Sequence, residues 1–212
     1  MEMRDLSQMQ GVAQPLHADK KPLTFNNPAH EERFLLPERI LSQIGLSQGQ
    51  KIADFGAGAG KYVLAAAKEV GVGGRVYAID VQKDLLKKIH NEAEKEGLKN
   101  VDVIWGDVEK PNGSKLASGA ADIVLVINSL FQCDDKKGVL FEASRILKEG
   151  GFLAIVDWKD SFGGMGPHKQ AVLKEEEALS LVPPCGFEII RKLEAGGQHY
   201  GLLAKKKIAQ NI

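Results

Sequence analysis

Three glycines at every second position, Gly56, Gly58 and Gly60, close an apolar run that contains Asp54. A loop of this kind carries no side chains, so its backbone N–H groups can come close to a ligand. The chemistry open to it is the holding of a phosphate, a dinucleotide or another nucleoside-based ligand, and the spacing separates these. A Walker loop requires Gly-x-x-x-x-Gly-Lys-Ser/Thr; here Phe55 stands at the first glycine and Tyr62 at the hydroxyl. A dinucleotide loop requires Gly-x-Gly-x-x-Gly; here the third glycine comes one residue early, and Lys61 takes its place. The form that fits is Asp/Glu-x-Gly-x-Gly-x-Gly, met by Asp54, Gly56, Gly58 and Gly60.

Two further carboxylates belong with this loop. Asp80 ends the apolar run RVYAID, and Asp107 follows VDVIW in Gly106-Asp107-Val108. A carboxylate such as Asp80, placed after the strand beside a glycine loop, can accept both ribose hydroxyls, a use open to nicotinamide and to other adenosine cofactors alike. Further polar residues follow later apolar runs: Asn128 and Ser129 after ADIVLVI, Asp157 and Trp158 after FLAIV. An isolated aspartate in such a place more often caps a helix or faces water. It is the joint pattern that points to a site.

The elements that must position these residues alternate. Strands are expected at 51–56, 75–80, 101–105, 121–127 and 152–157, with helices at about 59–70, 81–96 and 135–147 between them. Leu85, Leu86, Ile89 and Ala93 share one helical face. The unbroken run from Ala121 to Ile127 has the composition of a strand covered on both sides. Lys148 to Gly151 reads as a turn, 161–167 as a glycine-rich loop and 168–182 as a helix. Two last strands, 187–193 and 200–205, meet across a short turn at Gly196-Gly197, which only an antiparallel pair permits. Before the alternation, His30 to Gly45 has helical spacing in two pieces, with Pro37 opening the second. This order predicts an α/β, doubly wound, Rossmann-like sheet whose ligands sit beyond the strands' C-terminal ends. Residues 1–27 are expected to be flexible, 28–207 to form a single domain and 208–212 a tail.

The glycine motif, Asp80, Asp107, Ala121-Asp122-Ile123-Val124 and Leu147-Lys148-Glu149-Gly150-Gly151 together resemble the class I S-adenosylmethionine-dependent methyltransferases. The nearest look is to the small-molecule enzymes of ubiquinone and menaquinone biosynthesis, over about Ile40 to Lys206. The resemblance implies seven strands in the order 3-2-1-4-5-7-6, with strand 7 antiparallel. It implies S-adenosyl-L-methionine as cofactor, held by Asp54, Gly56, Ala57, Gly58, Gly60, Asp80, Val81, Gly106, Asp107, Val108 and Asn128. Asp107 would accept from the adenine amino group, Val81 and Val108 would flank the ring, and Asp54 would shape the loop or meet the methionine amino group through water.

The acceptor is less marked. Candidates for a base or an acceptor contact are His30, Asn128, Asp157 and His168, with Lys159, Asp160, His199 and Tyr200 behind them. No Asn-Pro-Pro-Tyr follows strand four, so the signature of base amino methylation is missing. Lysine and arginine, 28 together, balance 28 acids, which gives no broad footprint for nucleic acid. Two cysteines far apart have no metal-ligand spacing and do not make the multi-thiol site that arsenic methylation would need. A small or medium-sized acceptor is expected, with no metal. There is no apolar run of about 18 residues, so neither a membrane span nor a signal peptide is expected, and the cytoplasm is the expected compartment. Two other readings share these features: a nicotinamide-dependent oxidoreductase, and a module that binds the cofactor without turnover.

Overall fold

The computed structural model describes residues 36–163 and 166–208. The seven strands are β1 (Lys51–Phe55), β2 (Arg75–Asp80), β3 (Val101–Trp105), β4 (Ala121–Ile127), β5 (Leu147–Trp158), β6 (Phe187–Leu193) and β7 (His199–Lys206). They form one sheet in the order β3-β2-β1-β4-β5-β7-β6. The first five are parallel neighbours, and β7 runs antiparallel to both β5 and β6. The expected order and the antiparallel seventh strand are therefore both present.

Helices cover the two faces. On one lie α1 (Pro37–Ile44), α2 (Lys61–Val70) and α3 (Lys83–Lys95), which bury Ile40, Leu41, Val63, Ala67, Leu86 and Ile89 against Ile52, Ile123 and Leu125. On the other lie α4 (Lys136–Ile146) and α5 (Glu175–Leu181), which bury Val139, Leu140, Ile146 and Ala178 against Phe55, Val124 and Leu153. The 3.6-residue spacing of these apolar side chains is what puts them on one stripe per helix. β4, with core on both sides, is buried along nearly all its length, while β3 at the sheet edge is only half covered.

Local signals set the ends. Pro37 opens α1, and Gly45 closes it in the left-handed region, its N–H donating to Leu41 O at 3.0 Å. The Asp135 side chain caps α4 by accepting from the Gly138 N–H at 2.8 Å.

Two expectations need correction. The turn expected at 148–151 lies inside β5. Leu147 already pairs with Ala121, and Phe152 pairs with Ile123, so four residues loop out opposite Asp122. Gly150 takes a φ of +72° to make this bulge. The long helix expected over 168–182 is also broken. A single 3₁₀ turn, Lys169–Ala171, is followed by extended Val172, and α5 begins only at Glu175. Leu173 is buried where the chain is extended. The first piece of helix expected after His30, and the boundary at 27/28, lie outside the described residues.

Candidate functional site

The chain leaves β1 and bends at once. Gly56 and Ala57 both donate their N–H to Ile79 O, at 2.9 and 3.1 Å, and Gly60 donates to Ala57 O at 2.9 Å. Gly56, Gly58 and Gly60 have φ of +71°, +53° and +78°. Space as well as φ demands glycine at two of them. A Cβ at Gly56 would stand 2.7 Å from Ser129 Cβ, and one at Gly60 would stand 2.6 Å from Ile89 Cγ1. Ser129 in turn donates its hydroxyl to Phe55 O at 2.9 Å, so the residue after Asn128 locks the bend from the neighbouring strand.

Asp80 ends β2 beside this loop. Its Oδ2 accepts from the Gly58 N–H at 2.9 Å and its Oδ1 from the Gln82 N–H at 2.8 Å. A carboxylate has about four lone-pair sites, so capacity remains for ligand hydroxyls. Asp107 lies two residues beyond the end of β3, its Oδ1 accepting from the Glu109 N–H at 3.0 Å. The segment around it is held tightly: a Cβ on Gly106 would stand 2.2 Å from Gly113 O. Behind that segment Glu142 accepts from Asn112 N, Ser114 N and Ser114 Oγ, and pairs with Arg145 at 2.7 Å. Burial opposes the Glu142 charge, but the bonds from Arg145 and Ser114 outweigh it and pull the carboxyl down to about 2.

A cavity of 1110 Å³ opens over these strand ends. All the residues expected to hold the cofactor line it except Asp54. Asp54 lies behind the wall, buried, where burial first and the neighbouring Asp80 second push its carboxyl up to about 7. Of the acceptor candidates, Asn128 lines the cavity. It holds a φ of +52°, and its Oδ1 is buried without a hydrogen-bond partner among the described residues. Asp157 is not in the wall. It sits under it, accepting from the N–H groups of Phe131 at 3.0 Å and Trp158 at 2.9 Å, with burial raising its pKa to about 6. His168 and Asp160 are exposed and outside the lining; His168 stands extended before the 3₁₀ turn and not in the expected helix. His30 lies outside the described residues.

The structure adds wall residues that the motifs did not mark. Tyr62, at the start of α2, presents a hydroxyl that is buried without a partner among the described residues. Burial, then Asp54, then Glu38 raise its pKa, so the phenol stays protonated. Cys133 is a thiol pushed up to about 11, chiefly by burial. Trp158, Gln198 and His199 close the end near β7. The His199 ring lies 4.1 Å from that of Trp158 between centroids, and burial, helped by Lys159, lowers its pKa to about 4. His199 also forms part of a smaller, 340 Å³ cavity with Arg39, Lys159, Glu175, Lys192, Glu194 and Tyr200. A tyrosine at the second position of the helix after a glycine loop was a signal present in the sequence. Of the residues that close the end near β7, His199 stands among the sequence candidates and does line the cavity, whereas Gln198 carried no such signal.

The wall fits an adenosyl ligand. It has a bare backbone bend, two carboxylates at or just beyond successive strand ends, an unmatched amide oxygen, and a volume just above the range of ordinary ligand pockets. Comparison with known proteins agrees. Residues 46–202 match the family model described as "Methyltransferase domain". The chain is 27% identical over 152 residues to aklanonic acid methyltransferase DauC of Streptomyces sp. strain C5, covering 72% of this chain and 67% of that protein. It is 26% identical over 118 residues to demethylmenaquinone methyltransferase of Geobacillus stearothermophilus, covering 56% and 49%. Among solved structures it resembles an S-adenosylmethionine-dependent methyltransferase from Aquifex aeolicus, at 31% identity and a TM-score of 0.75, covering 86% of this chain and 95% of that one. The matches span between 28% and 67% of the length of the first curated relatives. On this matched stretch, this sheet and this wall, the chain belongs to the class I S-adenosylmethionine-dependent methyltransferase family.

Proposed function

We propose that the protein transfers a methyl group from S-adenosylmethionine to a small or medium-sized acceptor by in-line displacement. The observation that carries this is the single cavity wall in which the glycine bend, Asp80 and Asp107 meet. When bound, the cofactor supplies a methyl carbon already activated by its sulfonium. Asp80 would accept the ribose hydroxyls while its bond to the Gly58 N–H keeps the bend in register. Asp107, Val81 and Val108 would hold the adenine. Asn128 would present its unmatched Oδ1 to the cofactor or to the acceptor.

The chain's work on the reaction is placement and exclusion of water, which can supply much of the acceleration without a compulsory base. Asp157, satisfied by two N–H donors beneath the wall, would steady the Phe131 and Trp158 backbone and not touch the acceptor. The relatives' named acceptors, aklanonic acid and demethylmenaquinone, are small molecules, which supports the same class here. We read 28–207 as one domain, with the ends of that span to be set by limited proteolysis. Among the described residues no helix is long and apolar enough to cross a membrane. Both cysteines are free, and this fits the reducing cytoplasm.

Calorimetry with S-adenosylhomocysteine and with NADH tests the cofactor. The first is expected to bind and the second not; the reverse would transfer the protein to the nicotinamide reading. Radiolabelled methyl transfer across a panel of small hydroxyl, amine, thiol and carbon acceptors tests turnover. Incorporation into RNA instead would remove the small-acceptor reading.

A further inference from the structure

The 340 Å³ cavity beside the main one has two buried polar groups in its lining, Tyr200 and His199, of which His199 also reaches the main cavity. Tyr200 is 3% exposed and His199 5%, and both line this cavity. The Tyr200 hydroxyl and His199 Nε2 are buried without hydrogen-bond partners among the described residues. A buried polar atom left unmatched costs free energy that an occupant with polar atoms would recover. His199 lines both cavities, so its ring stands between them beside Trp158.

The charges around it say what the occupant carries. Five charged side chains line the smaller cavity. Arg39 is paired with Glu194 at 3.3 Å, and Lys192 with Glu175 at 2.5 Å. The fifth, Lys159, reaches only a backbone carbonyl, Gly196 O, at 3.4 Å. Its ammonium is the lining charge with no acid opposite it among the described residues. At the Tyr200 end, by contrast, Asp157, Glu175 and Glu177 all press on the phenol. An anion is therefore favoured at the Lys159–His199 end and opposed at the other.

We propose that the smaller cavity is the subsite for a carboxylate on the methyl acceptor, received by Lys159 with His199 beside it. The acceptor is then a small carboxylic acid whose nucleophile projects past His199 into the main cavity. This rests on the methyltransferase reading, since it names the acceptor for that site. Lys159 acts by charge and direct contact, and Tyr200 donates to a second polar atom of the same molecule.

The test is calorimetric binding of benzoate and of benzamide to the full chain, each with and without saturating S-adenosylhomocysteine. It is repeated with Lys159→Met and Tyr200→Phe. Benzoate is expected to bind at least about tenfold more tightly than benzamide, the order for one charge-assisted contact. Lys159→Met should erase that preference and leave S-adenosylhomocysteine affinity unchanged. Tyr200→Phe should weaken both probes alike. Equal binding of the two probes, no binding of either, or a preference that survives Lys159→Met overturns the carboxylate subsite. Loss of S-adenosylhomocysteine binding in the unaltered protein overturns the methyltransferase reading instead, and the probe titrations without it still decide the subsite.

Discussion

Asp80 performs two tasks with one carboxylate: it accepts from Gly58 N–H, fixing the loop, and it faces the cavity. Asp80→Ala is expected to weaken S-adenosylhomocysteine binding by about 1.5–3 kcal/mol, the order for hydrogen bonds to a charged group. Isothermal titration measures this, and an unchanged affinity would put the ribose elsewhere. Gly56→Ala should do more harm than its size suggests, because its φ of +71° and the 2.7 Å approach to Ser129 Cβ act together. It should lower both melting temperature and cofactor affinity, and Ser129→Gly should restore part of the loss by removing the side chain in the way. The glycines, Asp80 and Asp107 were readable from the sequence because their spacing is local. Asn128 was readable only by position. Its φ of +52° and unmatched oxygen depend on Val156, whose carbonyl takes its N–H from the adjacent strand at 2.8 Å.

At the scale of elements, two clamps hold the cavity's rims. One is the α4 pair Glu142 and Arg145, which grips the 112–116 segment that backs Gly106 and Asp107. Glu142→Ala leaves Arg145 and two backbone donors without their partner and is expected to cost about 3 kcal/mol in urea unfolding. With Glu142 drawn down to about 2, its stabilisation is complete above pH 4.5 and is lost as pH falls towards 2. The variant's deficit should shrink over that window. The other clamp ties α1 to the turn before β7. The Gln43 side chain donates to Glu194 O at 3.1 Å and accepts from Glu194 N at 2.7 Å. Gln43→Ala should cost about 1 kcal/mol and loosen the wall formed by Leu36, Pro37 and Glu38. Periodicity marked both helices, but neither clamp. In sequence, a helical glutamine or glutamate looks the same whether it faces water or, like Gln43 and the buried Glu142, reaches a loop far along the chain. The bulge in β5 was hidden for a related reason: Lys-Glu-Gly-Gly carries turn chemistry, and only the pairing of Leu147 with Ala121 shows that the strand resumes on both sides of it.

For the whole molecule, alternation plus the final hairpin pointed to a doubly wound sheet with an antiparallel end, the methyltransferase resemblance implied the strand order, and the structure has both. Its acid–base behaviour did not follow from sequence, since it comes from burial. Asp54 is raised to about 7, so the fold holds a proton there that the unfolded chain has shed, and stability falls as pH rises from about 4 to 7. His199 is lowered to about 4, so the unfolded chain takes up a proton that the fold refuses, and stability rises over pH 4 to 6.5. The two slopes oppose each other. Asp54→Asn should remove the first, so that its stability relative to the unaltered protein improves as pH increases from 4 to 8. Chemical denaturation at intervals across that range reads the difference; a constant offset would mean that Asp54 is charged in the fold.

The sequence has two tryptophans, and they stand in opposite settings. Trp158 is in the cavity wall, close to the His199 ring. Trp105 is 52% exposed at the sheet edge, its indole N–H donating to Val81 O and its ring flanked by Lys83 and Lys115 at 4.1 and 4.9 Å. The protein thus carries its own optical gauge. Emission from Trp158 should shift when the cavity fills, and emission from Trp105 should answer to dissolved salt through its lysines. Trp105→Phe would leave a single emitter that reports occupancy without any dye.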